Sequence, residues 1–262
     1  MGVTSSLVLA FVLGLGLAVV QGDLIKKSLF EFRELITLVI TKALIPVLPI
    51  YIYGIFLKIT EEGQASLIMG LFFKVIIIIF VMHILLLLFQ FFVAGTITGR
   101  NPLKVLITML PAYMTALGTQ SSAATIPVTL AQTKKNGVDP EIADFVIPLC
   151  ATIHLAGSTL KIVACAFAIM WMMNLPVGLD IFTGFIFMLG IIMVAAPGVP
   201  GGAIMAAVGI LQSMLGFDET LIGLMIALYI TMDSFGTACN VTGDGAIALV
   251  MDKIYSKNRK LV

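Results

Sequence analysis

The sequence predicts an all-α, polytopic membrane protein. Three observations point there: the composition, the placement of the charges, and two over-long uncharged stretches interrupted by Gly, Pro and small polar residues. Of 262 residues, 60% are hydrophobic and 11% charged, with a mean hydropathy of +1.14. Soluble domains run at about 45–50% apolar and about 25% charged. The formal net charge is +1. No basic block is long enough to track a phosphate backbone, so a nucleic-acid-binding chain is excluded, as are disordered and collagen-like ones. Cys150, Cys165 and Cys239 lie in apolar segments and form neither a spaced disulfide framework nor a CxxC pair.

The elements follow in order. Residues 1–22 are uncharged. They have no positive n-region, and no small-residue cleavage site precedes the charged cluster Asp23–Lys27, so the segment reads as a membrane helix rather than a signal peptide. A second uncharged stretch covers 43–57. Residues 67–98 form one long tilted span, with Lys74 and His83 as solvated or helix-contacting residues inside it.

Residues 105–133 are uncharged but interrupted by GTQSSAATIP at 118–127. Irregular backbone at membrane depth survives only where protein or a water-filled cavity satisfies it. Arg100 and Lys104 precede the stretch and Lys134 and Lys135 follow it. The positive-inside rule then places both ends in the cytoplasm. The prediction is a re-entrant hairpin at 101–136 with its tip near Ser121–Ala124. Residues 181–217 are interrupted by AAPGVPGG at 195–202 and flanked by Asp180, Asp218 and Glu219. This predicts a second hairpin at 180–217, entering from outside, with its tip at Pro197–Gly202. Two short bundle helices or a kinked span would explain either stretch alone; the flanking charges favour hairpins.

Each hairpin precedes a long span with a polar middle. The span at 140–174 contains Cys150 to Ser158, with a break expected near Gly157 and Ser158, and the span at 219–256 contains Asp233 to Asp244. Hairpin plus broken helix thus occurs twice, from opposite sides. That is the pattern of an inverted repeat with a binding site at the midplane. The basic tail Lys253, Lys257, Arg259 and Lys260 belongs in the cytoplasm.

Asp233, Asn240 and Asp244 are spaced 7 and 4 apart and share one helix face, with Gly236 and Thr237 beside it. A carboxylate in a bilayer must face a partner or a cavity, so the stripe is a candidate site. A structural hydrogen-bonding stripe is the plainer alternative. Asp233 and Asp244 lie about 16 Å apart by helical rise and cannot share a proton as a protease dyad does. No serine elbow, HExxH or phosphate loop occurs, so no enzyme is expected. His154, beside the expected break, is a candidate proton carrier. Lys161 is too deep in its helix to snorkel; it needs Asp233, Asp244 or a substrate carboxylate as partner.

Four segments, Ser121-Ser-Ala-Ala-Thr-Ile-Pro127, Pro148-Leu-Cys-Ala-Thr-Ile-His154, Gly198-Val-Pro-Gly201 and Asn240-Val-Thr-Gly-Asp244, occur in order. Together they resemble the signature segments of the dicarboxylate/amino acid:cation symporters, the family of the glutamate transporter homologues. The resemblance runs from about residue 5 to 252. It implies a sodium:dicarboxylate symporter-like fold with two re-entrant helical hairpins and an inverted repeat. It also implies a homotrimer whose transport domain moves like an elevator against a scaffold. On that template 1–66 supplies the end of the fourth helix and the fifth, and 67–262 the transport domain. The first three helices have no counterpart, so the chain reads as N-terminally truncated: Met1 is an internal start, the chain is a fragment, or the rest is a separate polypeptide.

The resemblance also assigns residues. It implies substrate binding by Ser121, Ser122, Val199, Gly201, Asp233, Thr237 and Asn240, with Asp233 holding a substrate ammonium and Asn240 its α-carboxylate. It implies a cation site drawn from Cys150, Thr152, His154, Leu155, Val194, Ala196, Asn240 and Asp244. The departures are informative. The family's NMDGT reads His154-Leu-Ala-Gly-Ser158, which alters one sodium site and removes the aspartate of another. The arginine that reads an acidic substrate side chain is Gly236, and the hairpin-one arginine is Gln120. Lys161 lies across from Gly236 on the template, where it either reads a substrate carboxylate or replaces a bound cation.

The expectation is a symporter of the cell (inner) membrane, multi-pass and surrounded by lipid. It would move a small amino acid or a dicarboxylate; an amine-bearing substrate is favoured because Asp233 is retained, and a neutral one because Gly236 replaces the arginine. Sodium or protons would drive it, with no other cofactor and no nucleic acid. The alternative is a non-transporting remnant, or a binding or assembly subunit that retains the pocket.

Overall fold

The computed structural model describes residues 3–20, 22–39, 42–43, 45–61, 63 and 65–259. The sequence readings at Met1 and Lys260 lie outside the described residues. Among the described residues all regular structure is helical: α1 Val3–Val19, α2 Asp23–Val39, α3 Ile45–Glu61, α4 Ala65–Thr98, α5 Pro102–Thr108, α6 Leu110–Thr119, α7 Ser122–Lys135, α8 Pro140–Ile153, α9 Ala156–Met172, α10 Leu179–Ala195, α11 Gly202–Leu215, α12 Glu219–Thr231 and α13 Asp233–Arg259.

Helix α4 shows why these segments belong in lipid. Its 34 residues span about 51 Å at 1.5 Å per residue, more than enough to cross a hydrocarbon core of about 30 Å. Ile68, Phe72, Val75, Ile79, His83, Leu87, Phe91 and Ala94 are buried in one row. Phe73, Ile77, Val81, Leu85, Phe89 and Phe92 are exposed on the other faces. A helix apolar all round, with half its surface uncovered by protein, is built for a lipid surround. Lys74 is exposed and His83 is buried against a neighbouring helix.

By length and composition, two described helical stretches can cross a membrane, Ile68–Thr98 and Pro140–Met172. Glu219–Thr231 and Asp233–Ser256 make a third if the bent pair, at 60°, counts as one span. Helix α2 departs from the hydropathy reading, which left its charged stretch unassigned. Its charges are Asp23, Lys26, Lys27, Glu31, Arg33 and Glu34, mixed with apolar residues in an amphipathic pattern.

Helix α13 is the axis of the fold and packs against α4, α6, α7, α8 and α9. Two apolar clusters flank it. One joins the first half of α4 to α9–α12, and the other joins the second half of α4 to α5, α6, α8 and α13. Two helix pairs turn back on themselves. The α6–α7 turn is made by Gln120 in the left-handed region (φ 52°) and by Ser121, whose side chain caps α7 by accepting from Ala124 N. The α10–α11 turn runs from Ala196 to Gly201, where Gly201 takes φ 71°, a region glycine enters without strain.

The first helix break falls earlier than the sequence suggests. It lies at His154 (φ −98°, ψ 92°) and Leu155 (φ −116°, ψ 40°), not at Gly157–Ser158. Gly157 is helical, and its role is close approach: a Cβ there would stand 2.7 Å from Cys239 Cβ and 2.8 Å from the Gly236 carbonyl oxygen. The second break lies at Met232, just ahead of the polar stripe. Asp233, Asn240 and Asp244 therefore share one unbroken helix.

Candidate functional site

The broken end of α9 is tied to α13 by Asn240. Its Oδ1 accepts from the backbone N–H of Gly157 (2.7 Å) and Ser158 (3.3 Å), and its Nδ2 donates to Ser158 Oγ (2.9 Å). A helix starting without a side-chain cap of its own leaves N–H donors needing partners. An asparagine on the neighbouring helix supplies one. The small residues Gly157 and Gly236 let the two backbones approach closely enough for it to reach.

At the start of α13, Asp233 uses both carboxylate oxygens. Oδ1 accepts from Lys161 Nζ at 3.1 Å, and Oδ2 accepts from the Gly201 backbone N–H at 2.7 Å. Lys161 also donates to the Tyr229 carbonyl at 3.2 Å, and its Nζ lies 3.3 Å from the centre of the Tyr229 ring. The lysine is 0% exposed and Asp233 is 4% exposed. Of the partners the sequence left open for Lys161, the structure selects Asp233. The ammonium also fills the space beside Gly236, where a Cβ would stand 3.1 Å from Nζ.

At the other end of the stripe, Asp244 Oδ1 accepts from His154 Nδ1 at 2.8 Å. The remaining ring nitrogen of His154 lies 3.3 Å from Gln90 Nε2 on α4. The carboxylate only accepts, so Nδ1 carries the proton between them. His83, one α4 face further along, donates Nε2–H to the Gly157 carbonyl at 3.0 Å. Gly243 makes room for this cluster, since a Cβ there would stand 2.6 Å from Gln90 Oε1 and 2.8 Å from His154 Cε1.

The two turn tips meet over the stripe. Ser121 Oγ donates to the Gly198 carbonyl at 3.0 Å, and Gln120 Nε2 donates to Ser234 Oγ at 2.9 Å. Beneath them lies a cavity bounded by Ser122, Ser158, Val199, Asp233, Thr237 and Asn240, with a volume of about 10 Å³. That is the least space that admits one water. The tips, bonded to each other and to Asp233, lie over the cavity.

The residues expected to bind substrate, Ser121, Ser122, Val199, Gly201, Lys161, Asp233, Gly236, Thr237 and Asn240, converge at or beside one cavity. Those expected to hold a cation divide. His154, Asp244 and Asn240 join the polar network, and the Leu155 side chain lines the cavity. Cys150 is buried, and its carbonyl accepts the His154 N–H at 2.8 Å. The Thr152 hydroxyl donates back to the Leu149 carbonyl within its own helix. Val194 is exposed near the end of α10, and Ala196 is its buried C-cap. Among the described residues, no group of three or more His, Cys, Asp or Glu side chains comes together.

Sequence reasoning did not nominate Gln90 or Tyr229. Gln90 carried a usable signal, an amide inside an apolar run one helical repeat after His83. Tyr229 carried none, because a tyrosine in an apolar helix is ordinary and its contacts with Lys161 depend on the fold.

Comparison with known proteins gives the family. A model of the sodium:dicarboxylate symporter family matches residues 2–254. Excitatory amino acid transporter 4 of Mus musculus is 32% identical over 166 residues, 63% of this chain and 29% of the transporter. Excitatory amino acid transporter 3 of Mus musculus is 35% identical over 167 residues, 62% of this chain and 31% of the transporter. Excitatory amino acid transporter 1 of Rattus norvegicus is 34% identical over 163 residues, 60% of this chain and 29% of the transporter. The matched stretch is thus under a third of each relative's length.

Proposed function

Because the chain belongs to the sodium:dicarboxylate symporter family, we propose that it supplies the transport domain of a secondary active symporter for a small amino acid or dicarboxylate. The reading rests on one observation: both turn tips and the break between α8 and α9 meet α13 around one polar cavity. Paired tips over a polar cavity suit a gated carrier, since substrate must be shut from both sides of the membrane before the site changes sides.

In this reading α6–α7 and α10–α11 are the re-entrant hairpins of an inverted repeat. Residues 67–262 form the transport domain and 1–66 part of a scaffold. The domain moves by an elevator-type step within a homotrimer in the cell (inner) membrane, crossing it several times. Ser122, Thr237 and Asn240 contact substrate, and the Val199–Gly201 tip opens to admit it. Sodium or a proton couples at the end of the stripe that holds His154, Asp244 and Asn240, with the carbonyls of Cys150, Thr152, Leu155, Val194 and Ala196 as further oxygen donors. Hard cations take such oxygen ligands. His154 and Asp244 also suit a proton, since they already share one along a 2.8 Å hydrogen bond.

The test is a thermal-unfolding screen of the detergent-purified chain against amino acids and dicarboxylates, each with and without sodium. A ligand at 100 times its Kd adds about 2.7 kcal/mol to stability, a readable shift. A sodium-dependent shift with one substrate class supports a coupled site. A sodium-independent shift that follows pH supports proton coupling. A folded sample that responds to none of them overturns the reading in favour of a chain that keeps the pocket without transport.

A further inference from the structure

The cavity holds one carboxylate, Asp233, and a cavity lined by a lone buried carboxylate ordinarily selects a ligand that brings a cation. Here the protein brings its own. Lys161 reaches Asp233 from the neighbouring helix, and the ammonium has no donor left over: one faces Asp233 Oδ1, one the Tyr229 carbonyl and one the Tyr229 ring. The second oxygen of Asp233 is taken by the Gly201 N–H. The ammonium has no donor to spare, and the pair is neutral as it stands, so a ligand ammonium meets no uncompensated charge.

What the cavity still offers is neutral or donating. Ser122, Ser158, Thr237 and Asn240 line it. Three helix N-termini meet there, and two are spoken for: α9 gives Gly157 and Ser158 N–H to Asn240, and α11 gives Gly201 N–H to Asp233. The third, α7, is capped by Ser121 only at Ala124 N. The donors of its first turn lie beside Ser122, which is 4% exposed and on the cavity wall. The positive end of a helix favours a carboxylate.

We propose that Lys161 is a built-in counter-cation for Asp233, held where a ligand ammonium would otherwise bind, so that the site selects small carboxylic acids without an amino group over amino acids. The proposal rests on the reading of this cavity as the substrate site, and it replaces the preference for amine-bearing substrates drawn from Asp233 alone. A second cation on the same carboxylate would be desolvated and unpaired, whereas an amine-free acid meets an already neutral pair.

The experiment compares matched ligands that differ only in the amine, succinate against aspartate and lactate against alanine. It uses ligand-induced thermal stabilisation of the full chain in detergent with sodium present. Wild type is expected to bind the amine-free member at least about tenfold more tightly. Lys161→Met is expected to reverse the ratio, because Asp233 then lacks a cation and a ligand ammonium supplies one. The double variant Lys161→Met with Asp233→Asn removes both charges and keeps a neutral site, so it is expected to retain the wild-type ratio. Since the wild-type comparison needs no variant, a poorly folding single variant does not remove the test. Tighter binding of aspartate or alanine by wild type overturns the proposal while leaving the cavity as the substrate site. A reversed ratio in the double variant also overturns it. Stabilisation by none of the four acids overturns the substrate-site reading, and this proposal with it.

Discussion

Two carboxylates sit on α13, and the protein treats them differently. Asp233 is paired with Lys161, with side chains 6% and 0% exposed. Asp244 is paired with His154, with side chains 2% and 15% exposed. Both partners come from the broken span α8–α9, so one element supplies the partners at both ends of the stripe. The lysine end is saturated, every ammonium donor and both carboxylate oxygens being engaged. The histidine end has slack: Gln90 leans on the imidazole through its nitrogen, while its buried Oε1 has no hydrogen-bond partner among the described residues. A saturated pair fixes the charge a substrate meets. A pair with slack can exchange a proton or reorient around an ion.

The contrast can be broken most sharply at the saturated end. Lys161→Ala leaves Asp233 as an uncompensated buried charge, which costs about 3–5 kcal/mol and lowers the thermal midpoint in detergent. Replacing both members, Lys161→Met with Asp233→Asn, is expected to recover most of that loss. If Lys161→Ala melts like wild type, the pair is not a fixed feature and the comparison fails.

Asn240→Ala comes next. It orphans the Gly157 and Ser158 N–H groups, and each buried unsatisfied group costs about 1–3 kcal/mol. Faster hydrogen exchange at the start of α9 is the direct readout, and unchanged protection there would mean that other groups cap the helix. His154→Asn is expected to be milder, about 0.5–1.5 kcal/mol for one hydrogen bond. Its larger consequence is ionic: with an amide oxygen in place of the imidazole, ligand stabilisation is expected to depend more steeply on sodium, and an unchanged sodium titration would remove His154 from the coupling site. The smallest effect belongs to Lys134→Ala. Its bond to Asp144, at 2.6 Å, is made by side chains 38% and 56% exposed, and such surface pairs contribute under about 1 kcal/mol.

Much of the site was legible before folding. Asp233, Asn240 and Asp244 stood out because charged and amide groups are costly in an apolar span, and their spacing of 7 and 4 puts them on one face. Lys161 stood out for the same reason, as a cation too deep to reach water. Gly157 misled. In a sequence it signals a break, but in the fold it lies within a helix and permits close packing against Cys239 and Gly236. Gln90 and Tyr229 escaped because their roles depend on which neighbour faces them across a helix interface.

By itself, the sequence determined that this chain belongs in a membrane, where its helices turn back, and which side chains cannot be lipid-facing. Those properties follow from hydropathy, backbone chemistry and helical period, all local along the chain. Only the tertiary structure decided that Lys161 pairs with Asp233 rather than Asp244, that the first break falls at His154, and that the two tips meet over a space of about 10 Å³. Pairing across helices depends on crossing geometry and close approach, and residues 72 positions apart in sequence carry no local mark of which neighbour they will meet.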